Sequence, residues 1–221
     1  MAGTRDSFVF FQVRSESADS AFSFYSGIAK NNSYIWFRSE KEIKEFAENG
    51  ELLGACHPVS GKLVALCYVT FIEQSNEYEI GGVVVSAEVQ HLGLAAVLVR
   101  FALAHVIANE RPWKHHREII AHVQEANGDP RNLMARLGFK HVRRFTLEGD
   151  EVPQSLQRNS EGNVAGDKFV FPRAAVPQLL SWFERDFPNR LRDGVTLAVI
   201  ELAPGGLESL VKALREEVAA S

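Results

Sequence analysis

Apolar residues fall into short strand-like blocks over the first part of the chain, then recur at helical spacing. "SFVFFQVR" (7–14) predicts a first strand; "ELLGACHP" (51–58), "KLVALCYVTFIE" (62–73) and "EYEIGGVVV" (77–85) predict three successive ones. Val59-Ser60-Gly61 and Gln74-Ser75-Asn76 supply the turns between them. Two helices are expected before the second strand, near 16–30 and 39–49. The latter opens with Ser39 and, three residues on, Glu42, a capping-box signal, and closes at Asn49-Gly50.

Beyond Gln90, apolar positions 92, 95, 96, 99, 103, 106 and 107 follow the i, i+3, i+4, i+7 pattern. Val97, Leu98 and Phe101 add bulk on other faces, so this helix is expected to be mostly buried. "REIIAHVQ" (117–124) predicts a strand. A short helix follows, with Asp129 as N-cap, Pro130 in the first turn and Gly138 past its end, and "FKHVRRFTLE" (139–148) returns as a strand.

The pattern then changes. Residues 149–167 are polar and turn-rich without apolar periodicity, which predicts a linker or flexible loop. A strand at 168–172, a helix over 173–187, a strand at 194–202 and an amphipathic helix carrying Leu207, Leu210, Val211 and Leu214 complete the chain. The organisation expected is an α/β core with a mixed sheet over 1–148, the loop 149–167, and a C-terminal β-α-β-α extension over 168–221. That extension has three roles open to it: to cap a pocket, to extend the sheet or to form a dimer interface.

Composition narrows the function classes. With 46% hydrophobic and 24% charged residues, the 221-residue chain has the balance of a soluble globular protein. No apolar run approaches the roughly 20 residues of a membrane span. The N-terminus "MAGTRDSFVFFQVR" has no signal-peptide pattern, so a cytoplasmic protein without a membrane partner is expected. A net charge of −4 gives no electrostatic argument for nucleic acid. The basic stretch Arg136, Lys140, His141, Arg143 and Arg144 fits a solvated strand face or a phosphate contact. Cys56 and Cys67 sit in apolar runs as small hydrophobes. His115 and His116 point in different directions, and with His122 they lack partners at ligand spacing, so no metal is expected.

The chemistry concentrates in "VSAEVQHLGLAA" (85–96). The first N–H groups of a helix have no intrahelical partner and carry the positive end of its dipole. Gly93 and Ala95 let a ligand approach that backbone, so the turn suits either tight packing or a phosphate. Val85, Gln90, Gly93 and Ala95, followed by Asn127 and by Leu137-Gly138-Phe139, are the residues through which the chain resembles the GNAT superfamily of acyl-CoA-dependent N-acyltransferases over residues 8–148.

The resemblance implies a GNAT-like acyl-CoA N-acyltransferase fold and acetyl-CoA (coenzyme A) as cosubstrate. It implies that the backbone of Gln90, His91, Leu92, Gly93, Leu94, Ala95 and Ala96 holds the pyrophosphate. It further implies that Val83, Val84 and Val85 splay from the neighbouring strand to bond the pantetheine arm, and that Asn127 supports the cofactor. Val85 N–H becomes the oxyanion donor, and Glu79, with Glu77 on the same face, the general base candidate. The expected reaction is direct attack of a primary amine, a small molecule in the first instance, on the thioester in a ternary complex. Tyr25, Tyr34, Trp36 and Phe37 occupy the stretch that walls the acceptor pocket in the family, although core packing explains them equally; Trp182 and Phe183 are expected to bury against the core or a second subunit.

One position departs from the family. Where a tyrosine often protonates the leaving thiolate, the chain has Met134, which has no proton to give. Either water, Tyr34 or Tyr78 serves instead, or the chain binds acyl-CoA without turnover as a sensor or interaction module. An acetyltransferase acting on a protein N-terminus or lysine is the third alternative.

Overall fold

The computed structural model describes residues 7–148, 152, 153, 155–187, 196–199 and 206–220. Its strands are β1 (Ser7–Gln12), β2 (Leu52–Cys56), β3 (Leu63–Ile72), β4 (Glu77–Val85), β5 (Glu118–Gln124), β6 (Lys140–Leu147), β7 (Val164–Phe171) and β8 (Thr196–Val199). Its helices are α1 (Ala18–Ala29), α2 (Glu40–Glu48), α3 (Leu94–Glu110), α4 (Gly128–Arg136), α5 (Val176–Ser181, extended by a π turn over Trp182–Asp186) and α6 (Gly206–Ala219). The strands form one mixed sheet in the order β6-β7-β5-β4-β3-β2-β1-β8, with β4–β5 and β1–β8 parallel and the other pairs antiparallel.

Two cores cover the two faces. On one, α3 packs with α4, α5 and α6 against Phe8, Phe10, Ala65, Cys67, Tyr78 and Ile119. Leu98, Phe101 and Leu103 are fully buried, each contributing about 1.5–3 kcal/mol. On the other face, α1 and α2 pack Ala21, Tyr25, Ile43 and Phe46 against Leu52, Leu66 and Tyr68. The α2 capping box forms as expected: Ser39 Oγ accepts from Glu42 N–H, and the Glu42 carboxylate accepts from Ser39 N–H at 2.7 Å.

Two expectations are corrected. The N-cap of α4 is Asn127, and Asp129 lies inside the first turn, where a carboxylate still suits the positive end of the helix. The strand placed at the head of an extension runs over Val164–Phe171 and lies between β5 and β6, pairing with both. The sheet therefore depends on residues beyond 148. The stretch before that strand also has structure: Val152, Leu156 and Val164 form a small core with Leu147, and Arg158 donates to the carbonyls of Val152 and Gly162. The strand expected at 194–202 is described over Thr196–Val199 and extends the sheet beside β1, while its flanks lie outside the described residues. Leu210 and Leu214 of the amphipathic C-terminal helix are buried against the α3 side.

Candidate active site at the parting of two strands

Strands β4 and β5 pair only at Glu77–Glu118, Tyr78–Ile119 and Glu79–Ile120. Beyond Glu79, β4 remains on β3 as far as Val85, and β5 remains on β7 as far as Gln124. Their inner edges are thus left apart, a V that opens toward the C-terminal ends of both strands. Ser86 N–H bonds Val64 O on β3. Alternation along the strand then aims the N–H and C=O of Val85, and two residues back those of Val83, into the gap. An extended amide-containing ligand can pair with that edge as a strand does.

A bulge shapes the same edge. The β3–β4 register shifts between Leu66 and Tyr68, and Gly82 adopts φ +58°. Tyr78 and Ile80 face the α3 side, yet Val84 packs with α1 and α2, so the extra residue reverses the face parity of β4. Glu79, before the bulge and between Tyr78 and Ile80, points by alternation to the α1–α2 face, and past the bulge Val83 and Val85 pack toward α3. The glycines are required here: a Cβ on Gly81 or Gly82 falls 2.6 or 2.4 Å from the Tyr68 ring.

The two acidic residues of β4 differ in their partners. Glu77 is buried and ion-paired with Lys168. Burial pushes its carboxyl up, but the hydrogen bond and charge of Lys168 outweigh this and hold it below its usual range. Glu79 Oε1 lies 2.9 Å from Nδ1 of His122 on β5. Across from it, Tyr68 Oη accepts from Arg38 Nη2 at 2.8 Å, and Arg38 also holds Glu42. Burial, reinforced by Glu79, pushes the Tyr68 hydroxyl upward against the opposing charge of Arg38. Arg38 and Tyr68 were not anticipated from the sequence, and His122 was weighed there only as a metal ligand. His122 contacts Glu79 from β5, Arg38 and Tyr68 interact with it electrostatically, and no local motif marks any of them.

At the open end of the V stands the N-terminus of α3. His91 and Gly93 adopt φ +73° and +86°, both are exposed, and Gln90 Nε2 donates to Val85 O at 3.3 Å. Gly93 caps the 17-residue helix in a left-handed conformation with no side-chain cap, so the first N–H groups of the helix have no capping side chain. Leu94 is buried and Leu92 is partly buried against the core; the Leu92 N–H bonds Val89 O at 3.4 Å and the Ala96 N–H bonds Gly93 O at 3.0 Å, so Leu94 can offer a ligand only its backbone. Asn127 follows β5 at the same end of the sheet and caps α4, its N–H bonded to Gln124 O. Two helix N-termini thus flank the mouth of the gap, and the donor set fits an anion at α3 joined to an amide-bearing arm along β4.

Val85 lies six residues from Glu79, about 20 Å at a strand's rise of some 3.3 Å per residue. A carbonyl on Val85 N–H is therefore out of direct reach of Glu79. The Val83 N–H is four residues away, just past the bulge, and is the nearer donor aimed into the gap.

The remaining candidates have structural partners. Met134 is buried in the core beside Leu137 and Phe139. Tyr78 faces the α3 side, where its hydroxyl donates to Glu110 at 2.6 Å and accepts from Arg117 at 2.9 Å; burial, then the Glu110 bond, push it up to about 12. Tyr25 Oη donates to Trp36 O and its ring adjoins Gly82; Tyr34 and Phe37 are half-buried. Trp182 and Phe183 pack on Phe101 within the same chain. The basic run on β6 meets acids: His141 lies 2.9 Å from the fully buried Asp167, which Arg131 of α4 also pairs with at 2.8 Å, and Arg144 pairs with Glu125. Cys56 is half-buried and Cys67 buried. Among the described residues no three His, Cys, Asp or Glu side chains gather at metal-binding distance, and no helix is long and apolar enough to cross a membrane.

Comparison with solved structures places this architecture. An acetyltransferase (GNAT family) from Bacillus anthracis superposes with TM-score 0.53 at 14% identity, covering 76% of this chain and 95% of its own. The ribosomal-protein-S18-alanine N-acetyltransferase from Escherichia coli gives 0.50 at 15%, covering 75% and 93%. A chain in the NatC complex bound to Gag peptide and CoA gives 0.56 at 16%, covering 75% and 98%. No curated protein matches in sequence. The model of the Acetyltransferase (GNAT) family matches residues 17–139, more than half of the chain. The chain belongs to the acetyltransferase (GNAT) family.

Proposed function

We propose that the protein is an N-acetyltransferase that moves an acetyl group from acetyl-CoA to a primary amine by direct attack in a ternary complex. The observation that carries this is the V between β4 and β5, with a helix N-terminus that has no side-chain cap at its mouth and Glu79 at its apex. The backbone from Gln90 to Ala96 receives the pyrophosphate, the edge Val83–Val85 pairs with the pantetheine amides, and Asn127 adjoins from the β5 side. In this arrangement Val83 N–H is the donor nearest the thioester oxygen, and Val85 holds the arm.

Such a site accelerates transfer mainly by orientation and by polarising the carbonyl. An alkyl ammonium has an ordinary pKa of about 10.4, so near neutral pH a base must take its proton before attack. We place the base function at the apex with Glu79, which points to the α1–α2 face, since Glu77 is committed to Lys168. Met134 is core packing and gives no ground for ruling out turnover. A leaving thiol of ordinary pKa about 8.5 departs without a dedicated acid.

A small-molecule acceptor is favoured by the bridge over this face. Gln157 N–H bonds Ser33 O at 2.8 Å, tying the β6–β7 segment to the loop after α1. The second reading, a protein N-terminus or lysine as acceptor, draws support from the names of two structural neighbours, the ribosomal-protein-S18-alanine N-acetyltransferase and the NatC complex bound to Gag peptide.

The test is release of free CoA from acetyl-CoA with a panel of small primary amines and a panel of N-terminal and lysine peptides. Turnover confined to the small amines supports the first reading; turnover confined to peptides replaces it with the second. Binding of acetyl-CoA with no turnover on either panel overturns both and leaves an acyl-CoA-binding module. Glu79→Gln should lower kcat by about 10²–10⁴, the range for lost acid–base catalysis, with the acetyl-CoA Kd unchanged.

A further inference from the structure

We infer that the proton acceptor at the apex of the V is Nε2 of His122, and that Glu79 acts as the group that orients it. This rests on the acetyltransferase reading and divides its base function between two residues. The geometry begins with the 2.9 Å contact between His122 Nδ1 and Glu79 Oε1. An ionised carboxylate only accepts hydrogen bonds, so Nδ1 carries the ring proton and the lone pair is left on Nε2. The Glu79 side chain is 14% exposed and that of His122 33%, so the imidazole is the more open of the two to an arriving amine.

The ring is held from its other side. Phe145 of β6 meets His122 edge-on at 5.0 Å between centroids. Phe145 lies over Gly166 of β7, where a Cβ would stand 2.4 Å from its ring. A glycine on β7 thus seats a phenylalanine on β6, which sets a histidine on β5 against a glutamate on β4. Four strands fix one imidazole.

The charged groups around it are few. Lys168 of β7 is registered opposite His122, but its ammonium pairs with Glu77 and lies 3.9 Å from Glu118. Arg143 of β6 is registered opposite Lys168. On the α1–α2 side, Arg38 and Tyr68 are bonded to each other, and each interacts electrostatically with Glu79. Glu79 is the anion in direct contact with the ring.

The step balances as follows. The acceptor's ammonium gives one proton to His122 Nε2, forming an imidazolium that the Glu79 carboxylate stabilises, as a carboxylate does in a catalytic triad. The freed amine nitrogen forms a bond to the thioester carbon and the C–S bond breaks. The second nitrogen proton passes to the departing thiolate, and the imidazolium returns its proton to water. The products are an N-acetyl amide, free CoA thiol and one released proton.

His122→Asn tests this, because the Asn amide keeps a donor for Glu79 but cannot accept a proton. The expected result is a fall in kcat of about 100-fold, an unchanged acetyl-CoA Kd, and loss of the base inflection from the pH–rate profile. Thermal melting confirms folding, and His122→Gln serves as a second variant if Asn perturbs the strand. Wild-type kcat with the inflection retained in a folded variant overturns the inference. If Glu79→Gln alone then abolishes turnover, the carboxylate is itself the base and the acetyltransferase reading stands. Absence of acetyl transfer by the wild-type protein overturns both together.

Discussion

The ring of Tyr68 occupies the space that a Cβ on Gly82 would need, 2.4 Å from the nearest ring carbon. That contact ties the bulge in β4 to the Tyr68–Arg38 pair beneath Glu79, so the apex of the site and its α1–α2 wall are built as one unit.

Gly82→Ala should therefore disturb both stability and function. The backbone there has φ +58°, and the added methyl overlaps the Tyr68 ring. Strain and overpacking together cost about 1–3 kcal/mol, a fall in Tm of roughly 3–10 °C for a chain of this size. Calorimetric melting measures it, and kcat should fall with it as Glu79 and Val83 shift.

Tyr78→Phe separates a structural hydroxyl from a catalytic one. Tyr78 Oη bridges Glu110 and Arg117 on the face away from Glu79. Its removal should cost about 0.5–1.5 kcal/mol, since the exposed Glu110 and the half-buried Arg117 can rebond to water, with kcat within about twofold of wild type at a temperature where the variant is folded. A collapse of kcat would instead make Tyr78 the proton donor to the thiolate.

Arg158 braces the segment between β6 and β7 through the carbonyls of Val152 and Gly162. Arg158→Ala should loosen the segment that meets Ser33. The acceptor KM should then rise several-fold while acetyl-CoA affinity stays within about twofold. Steady-state kinetics with the acceptor varied at saturating acetyl-CoA distinguishes the two.

Local chemistry made much of the fold legible. The strands before residue 86 and the Ser39–Glu42 capping box depend on short-range signals, and they form where expected. The start of α4 moved because Asp129 and Pro130 suit the first turn as well as the cap. Strand β7 was misplaced for a different reason: Val164-Ala165-Gly166-Asp167 has no apolar run, and its pairing with β5 and β6 is a long-range choice. Gly166 is small because Phe145 lies on it, and Asp167 is tolerated because Arg131 and His141 reach it. Both reasons come from other elements. The α3 turn was legible because its chemistry is local backbone. His122 was not, because its partner lies 43 residues away on another strand.

The central claim is that the turn before α3 and the edge of β4 bind acetyl-CoA, and isothermal titration of wild type and Gly93→Val tests it most directly. Gly93 has φ +86°, which a β-branched residue adopts only with strain, and the substitution turns the first N–H groups of the helix away from the mouth of the V. The expected result is saturable one-to-one binding by the wild type, weakened tenfold or more, at least about 1.4 kcal/mol, in a folded Gly93→Val. Equal affinity in the two proteins, or no binding of acetyl-CoA or CoA by the wild type, would contradict the account.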